Sequence, residues 1–204
     1  MDKIVITIAR GYGSGGRTLG FKLAKELGIP CYDRELVRMA SDFSGISEEM
    51  FGAVDERVSS WKKFSGTKVY TGEVLPPSSL AYTSKDNLFA LQAKAMKEVA
   101  EKESCVIIGR AADYVLKDRD DVIKLYFYAP LEDCIKRARD FHAESDEELM
   151  KRIGRIDKYR AQYYKYYTGR EWNDSRNYDL CLNTSSMSYE KLVEVVKEYI
   201  RICK

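Results

Sequence analysis

Residues Arg10-Gly11-Tyr12-Gly13-Ser14-Gly15-Gly16-Arg17-Thr18 follow directly on the apolar run Ile4 to Ala9 and lead into a helical pattern. Glycines clear side chains away from successive backbone N–H groups. Where such a turn opens onto a helix N-terminus, those groups and the helix dipole make a cradle for phosphate. Gly11 to Thr18 fits the pattern G-x-x-x-x-G-K-[ST], with Arg17 in the lysine position. The chemistry this permits is binding of a phosphorylated ligand, with Gly11, Gly13, Ser14, Gly15, Gly16, Arg17 and Thr18 as its contacts. Thr18 stands where a hydroxyl holds Mg²⁺, beside the cation of Arg17. Guanidinium is a wide, planar fork where lysine is a point charge, so its reach and angle on a phosphate differ.

The same glycines satisfy G-x-G-x-x-G through Gly11, Gly13 and Gly16. Asp33 then falls where a dinucleotide-binding unit places its ribose-binding acid. Three features favour the phosphate loop over that reading. Thr18 and Arg17 suit a metal–phosphate site, the chain is short for a dinucleotide domain plus a substrate domain, and a later basic helix suits a phosphate lid. A dinucleotide-dependent oxidoreductase stays as an alternative.

The elements that must position these residues alternate along the chain. Ile4 to Ala9, Cys105 to Ile108, Val122 to Tyr128 and Tyr178 to Leu182 are short apolar runs of the kind buried in parallel sheets, and Pro30 to Tyr32 is a shorter one. Helical patterns separate them: Gly16 to Leu27, Arg34 to Phe43, Asp86 to Lys102, Pro130 to His142 and Ser188 to Ile202. This rhythm predicts an α/β fold, a parallel sheet with helices on both faces. Two stretches interrupt it. Gly45 to Lys85 reads as a helix near Glu48 to Lys62 and then a loop, and Glu144 to Trp172 as a long polar helix or helix pair.

The chain has 204 residues and a net charge of +2, enough length for one well-cored domain and too little charge for a dedicated nucleic-acid or polybasic membrane protein. The first residues enter a strand, and no run approaches a membrane span, so a cytoplasmic address is expected. Five cysteines are scattered without a C-x-x-C pair and read as reduced thiols. His142 is the sole histidine, which excludes multi-histidine metal sites and disfavours a histidine-based triad.

With the glycine loop, Tyr32-Asp33-Arg34-Glu35-Leu36, Val106-Ile107-Ile108-Gly109-Arg110, Asp157-Lys158-Tyr159-Arg160 and Asn177-Tyr178-Asp179-Leu180 in view, the sequence resembles the cytidylate kinase-like family. This is a nucleoside monophosphate kinase branch of the P-loop NTPases. The resemblance covers nearly the whole chain. It implies a three-layer sandwich over residues 1–204, whose five-stranded parallel sheet has the order 2-3-1-4-5. It also implies a nucleoside-monophosphate-binding insertion at 45–85 and a lid at 144–172. Arg110 matches the family's acceptor-phosphate arginine after strand three, with Ile108 where an aspartate precedes it. Asp33 matches the acid after strand two, and Arg160 matches the lid arginine. Arg38 lies one residue before the family's helix arginine. Asn183-Thr184-Ser185 loosely matches the adenine-side loop.

Physical reading of these residues stands beside the resemblance. Arg110 and Asp33 both lie at the carboxyl ends of strands, the edge where open α/β sheets bind ligands. For Arg110 the choice is a phosphate contact or a structural ion pair. For Asp33 it is a metal or substrate hydroxyl, or an N-cap for the next helix. At helical spacing Ile153, Ile156, Tyr159, Tyr163 and Tyr167 share a face with Arg160, while Lys151, Arg155, Lys158 and Lys165 lie opposite. A charge on the apolar side must be paired, and a bound phosphate or Asp157 can serve. Arg152 and Arg155 are further lid candidates. The tyrosines read as packing or as a homodimer surface, and Trp61 as an anchor or a base-stacking platform.

The expected function is ATP- and Mg²⁺-dependent phosphoryl transfer to a nucleoside monophosphate or related small molecule, with Arg17, Arg110 and Arg160 as the catalytic cations. A catalytically weak nucleotide-binding sensor is the alternative that Arg17 and Ile108 motivate. No nucleic-acid or membrane partner is expected.

Overall fold

Strand β1 (Val5–Arg10) is buried along its whole length, as a central parallel strand must be. It pairs in parallel with β3 (Cys105–Ile108) on one side and with β4 (Val122–Tyr128) on the other. The short β2 (Cys31–Tyr32) adds to β3, and β5 (Leu180–Asn183) adds to β4, giving the order β2-β3-β1-β4-β5. The expected order is thus observed. The same order excludes the dinucleotide alternative, because a dinucleotide-binding sheet sets β1 beside β2, whereas here β3 intervenes. The structure is a computed structural model, described over residues 3–52 and 66–203. Trp61 and most of the helix expected near Glu48 to Lys62 lie outside the described residues.

Helices cover both faces. On one side α1 (Gly16–Leu27) and α8 (Tyr189–Cys203) bury Leu19, Leu23, Leu192 and Val196 against Ile6, Ile8 and Leu125. On the other, α4 (Lys85–Lys102), α5 (Ala112–Val115) and α7 (Asp146–Thr168) cover Val5, Cys105 and Ile107. The helices α2 (Glu35–Ser44) and α3 (Glu48–Gly52) join α4 in a smaller apolar cluster around Phe51 and Leu88. The remaining helix, α6 (Leu131–Ala138), follows β4. The short α5 has no counterpart in the sequence reading, since four residues carry too little periodicity to show.

Helix α7 is bounded as its sequence directs. Ser145 and Glu148 form a capping box at its start, and Gly169, with φ of 72°, closes it in the left-handed conformation. Its C-terminal half is core rather than lid. Tyr159, Tyr163, Tyr164, Tyr166 and Tyr167 are buried, and Phe89 stacks on Tyr167 at 3.8 Å between ring centroids. The tyrosine face is therefore packing within the chain and offers no homodimer surface. Exposed charge is concentrated in the half before Tyr159, with Lys165 as the exception in the last turn. The stretch after Gly66 runs back along α4 and the end of α7: the Lys68 and Tyr70 N–H groups donate to the Tyr166 and Tyr167 carbonyls, at 2.7 and 2.8 Å. Among the described residues no helix is long and apolar enough to cross a membrane.

One buried carboxyl in this layer predicts a pH dependence. Asp113 on α5 accepts a 2.6 Å hydrogen bond from the Tyr164 hydroxyl; Tyr178, Lys124 and Arg170 lie around the pair. Burial pushes its pKa up to about 6, against the Tyr164 hydrogen bond that lowers it. Between the unfolded value near 3.8 and about 6, the folded state holds a proton that the unfolded state has lost. Stability therefore falls as pH rises through that window, by on the order of 3 kcal/mol. Asp113→Asn is expected to remove that fall. Urea unfolding of both proteins from pH 4 to 7 measures it, and parallel pH profiles would refute the assignment.

Candidate active site

The glycine loop lies at the carboxyl edge of β1, and its shape depends on what surrounds it. Gly13 and Gly15 adopt φ of 73° and 77°, a region that residues with a Cβ rarely enter. A Cβ at Gly13 would lie 2.7 Å from the Cys134 carbonyl of α6, and one at Gly15 would lie 1.9 Å from the Tyr189 hydroxyl of α8. The loop is thus packed closely by two helices, and two of its own N–H groups turn inward, Ser14 to the Gly11 carbonyl and Gly16 to the Ser14 hydroxyl. Thr18 is exposed in the first turn of α1.

Arg17 does not lie along the loop. Its Nε donates to Asp33 Oδ2 at 2.8 Å, and its guanidinium sits over the Phe21 ring. The expected service of Arg17 to the donor phosphates, in the manner of a loop lysine, therefore competes with its pairing to Asp33. A guanidinium on this stem reaches the end of β2, where a buried carboxylate attracts it. Asp33 is only 1% exposed and engaged by Arg17, so its side chain is not open to a metal. It is no N-cap either: Arg34 holds that position for α2 without a side-chain cap bond. Glu35 instead accepts from the Asp33 N–H at 3.0 Å.

Arg110 follows in the same chain of contacts. Its Nε donates to the Asp33 carbonyl at 3.2 Å, and its Nη1 to Gln92 Oε1 of α4. The side chain is fully buried, so the structure places it beneath the end of β2 rather than in an open cleft. The backbone is strained to achieve this. Gly109, Arg110 and Ala111 have successive φ values of 75°, 59° and 53°. For residues with a Cβ this conformation costs roughly 1–2 kcal/mol each, and such strain clusters at functional sites. Gln92 was not singled out in the sequence. Its signal is a polar residue inside an otherwise apolar helix face, which requires a partner.

Arg160 reaches the loop from α7. It donates to the Arg10 carbonyl at 3.1 Å and to Asp157 Oδ1 at 3.3 Å, and its guanidinium faces the Tyr12 ring. Asp157 also accepts from the Tyr12 N–H at 2.8 Å, so one carboxylate joins the loop to the arginine. Burial raises the Asp157 pKa, and Arg160 is the foremost group pulling it back. The Tyr12 hydroxyl shares a 2.7 Å hydrogen bond with His142, which ties the turn between α6 and α7 to the same loop. Tyr12 gave no signal in the sequence.

Arg152 is held by a double contact to Glu144, at 2.6 Å for each oxygen, and Arg155 is exposed nearby, adding positive potential at Glu144. Arg38 is exposed on α2 and joins none of these contacts. A residue the sequence reading missed is Arg137 of α6, whose guanidinium meets the carbonyls of Gly13, Ser14 and Thr184. A basic residue in the last turn of a helix reads by itself only as a complement to the helix dipole. Among the described residues no three acidic, histidine or cysteine side chains converge as a cation cage.

The arrangement can bind phosphate through loop N–H groups and bring guanidinium charge to it from α7, with a second arginine chain leading to the ends of β2 and β3. Known proteins resemble this chain over nearly its whole length. The model of a family described as cytidylate kinase-like matches residues 5–186. A cytidylate kinase of Pyrococcus horikoshii is 27% identical over 98% of this chain and 89% of its own length. Among solved structures, an uncharacterized protein from Eubacterium ventriosum shares the fold with a TM-score of 0.72 at 23% identity, covering 98% of this chain and 99% of that one. A shikimate kinase from Bacteroides thetaiotaomicron shares it with a TM-score of 0.57 at 17% identity, covering 97% and 98%. The match runs from β1 through the glycine loop and α7 to the turn after β5, and on that extent the chain belongs to the cytidylate kinase-like family.

Proposed function

We propose that the protein transfers the γ-phosphoryl group of ATP to a nucleoside monophosphate, with CMP as the first candidate. The observation that carries this reading is Arg160 seated on the glycine loop by Asp157, Tyr12 and the Arg10 carbonyl. Family membership and the kinase fold support nucleotide kinase chemistry.

Phosphoryl transfer asks the protein mainly for position and charge. The N–H groups between Gly13 and Thr18 bind the donor phosphates. Arg160 stabilises the negative charge that spreads over the transferring group, and Arg155 and Arg152 add to it from the exposed half of α7. Residues 144–158 serve as the lid, a shorter piece than 144–172 because the rest is core. The acceptor lies toward the ends of β2 and β3, where Arg17 is oriented by Asp33 and Asp33 in turn is fixed by Arg110. Residues 45–85 supply its base contacts. The Thr18 hydroxyl, exposed in the first turn of α1, would hold a Mg²⁺ brought in with the nucleotide, and the ion would supply charge neutralisation.

The test is ADP formation from ATP and Mg²⁺ against a panel of nucleoside monophosphates and small hydroxyl acceptors, with an acceptor-free control. CMP-dependent turnover is expected. In the same assay Arg17→Ala is expected to raise the acceptor KM about tenfold or more, the worth of a charged hydrogen bond, and to leave the ATP KM within about twofold. A selective rise in the ATP KM would return Arg17 to the donor side. A second reading rests on Arg17 being tied to Asp33: a nucleotide-binding sensor with little turnover. ATP binding without turnover on any acceptor would select it.

A further inference from the structure

Anion cradles carry a requirement that glycine content does not meet by itself. Every peptide unit in the loop has a carbonyl as well as an N–H, and a carbonyl facing phosphate repels it. In a trans peptide the two point in opposite directions. Whatever holds a carbonyl to the rear therefore aims the next residue's N–H to the front.

Arg137 does this here. Its Nη1 donates to the Gly13 carbonyl at 3.3 Å and to the Ser14 carbonyl at 3.1 Å. The Thr184 hydroxyl donates to the same Ser14 carbonyl at 2.5 Å. Arg137 is itself fixed by the segment after β5: Nη1 reaches the Thr184 hydroxyl at 3.3 Å, and Nη2 reaches the Thr184 carbonyl and the Ser185 hydroxyl, each at 3.1 Å. Its helix is seated against the loop, since the space where a Gly13 Cβ would stand is filled by Cys134, three residues before Arg137. The Tyr189 ring closes the rear, 5.9 Å from the guanidinium. The carbonyls of Gly13 and Ser14 are thus turned toward a permanent positive charge, which leaves the Gly15 N–H on the opposite side of its peptide.

We propose that Arg137 is the positioning residue of the glycine loop. It acts from behind, through the peptide units, holding the Gly15 N–H toward the donor phosphates while the Ser14 N–H closes the turn on the Gly11 carbonyl, and it adds positive potential at a place where Arg17, drawn to Asp33, does not. This rests on the reading of the loop as a phosphate site. Thr184 is the second member of the device. The cation that makes the loop electropositive is therefore contributed by α6 and locked by the turn after β5.

Calorimetric titration of the full chain with inorganic tripolyphosphate, which has no base or sugar, tests the idea directly. Arg137→Ala is expected to weaken binding about tenfold or more, and Arg137→Lys, which keeps the charge and loses the fork, to recover part of that loss. Thr184→Val is expected to weaken it about threefold. A folded Arg137→Ala protein with a lower melting temperature and wild-type tripolyphosphate affinity would overturn the proposal, since a purely structural arginine gives that result. If Arg137→Ala does not fold, Thr184→Val decides, and an unchanged affinity there overturns it. Failure of the wild type to bind either tripolyphosphate or ATP would refute the phosphate-loop reading, and this proposal with it.

Discussion

Arg160→Ala is expected to lower kcat by about two to three orders of magnitude, the typical effect of deleting one preorganised donor to transition-state charge, while the ATP KM changes only a few fold. The reasoning is geometric. Arg160 is 7% exposed, and its contacts to the Arg10 carbonyl and Asp157 hold it at the root of the glycine loop. A cation placed there before substrate arrives needs no reorganisation when charge develops. Arg160→Lys is expected to restore little, because an ammonium cannot span the Arg10 carbonyl and Asp157 together. Arg155→Ala, at an exposed position of the same helix, is expected to cost about tenfold or less. Steady-state kinetics on the acceptor found active in the panel measures all three. Loss of Arg160 also removes the foremost group opposing the raised pKa of Asp157, so that carboxyl should titrate higher still. A kcat for Arg160→Ala within about threefold of wild type would assign the residue to packing alone.

Gly13→Ala is expected to disable donor binding and to destabilise the chain by about 2–4 kcal/mol. Its φ of 73° strains any residue with a Cβ, at roughly 1 kcal/mol or more. The new methyl would lie 2.7 Å from the Cys134 carbonyl, 2.9 Å from its Cβ and 3.0 Å from its Cα. The carbonyl and Cα are backbone atoms of α6, and the Cβ is fixed to them, so none can swing aside and overpacking adds about 1–3 kcal/mol. The helix would have to retreat and take Arg137 off the loop carbonyls, which is the route from one methyl to an ATP KM raised about a hundredfold. Gly28→Ala is the control. It has φ of 66° but no atom within 4 Å of its Cβ position, so it pays strain without displacing a helix. Thermal unfolding and the ATP KM of the two variants should separate. Equal effects would place the role of Gly13 in chain conformation alone.

Much of the fold was legible because it is written in local periodicity. The sequence runs at Cys105 to Ile108, Val122 to Tyr128 and Gly16 to Leu27 are the observed elements residue for residue. The helix before Arg160 was readable for the same reason: a stripe of tyrosines at helical spacing has one apolar side, and Arg160 sits on it. That stripe did not say what it packed against. Its partners, Phe89 and Asp113 among them, lie on α4 and α5, so core and dimer surface were indistinguishable until the layers were assembled.

The sequence by itself determined the glycine loop, the strand-end positions of Asp33 and Arg110, and the place of Arg160 beside Asp157, because each depends on neighbours along the strand or one helical turn away. The tertiary structure alone decided where the guanidinium groups point. Arg17 turns to a carboxylate 16 residues on, Arg110 finds the Asp33 carbonyl across a separation of 77, and Arg137 meets Ser14 across 123. An arginine side chain is long and flexible enough to serve any acceptor within its reach. Its role is therefore fixed by which carbonyls and carboxylates the folded layers bring there.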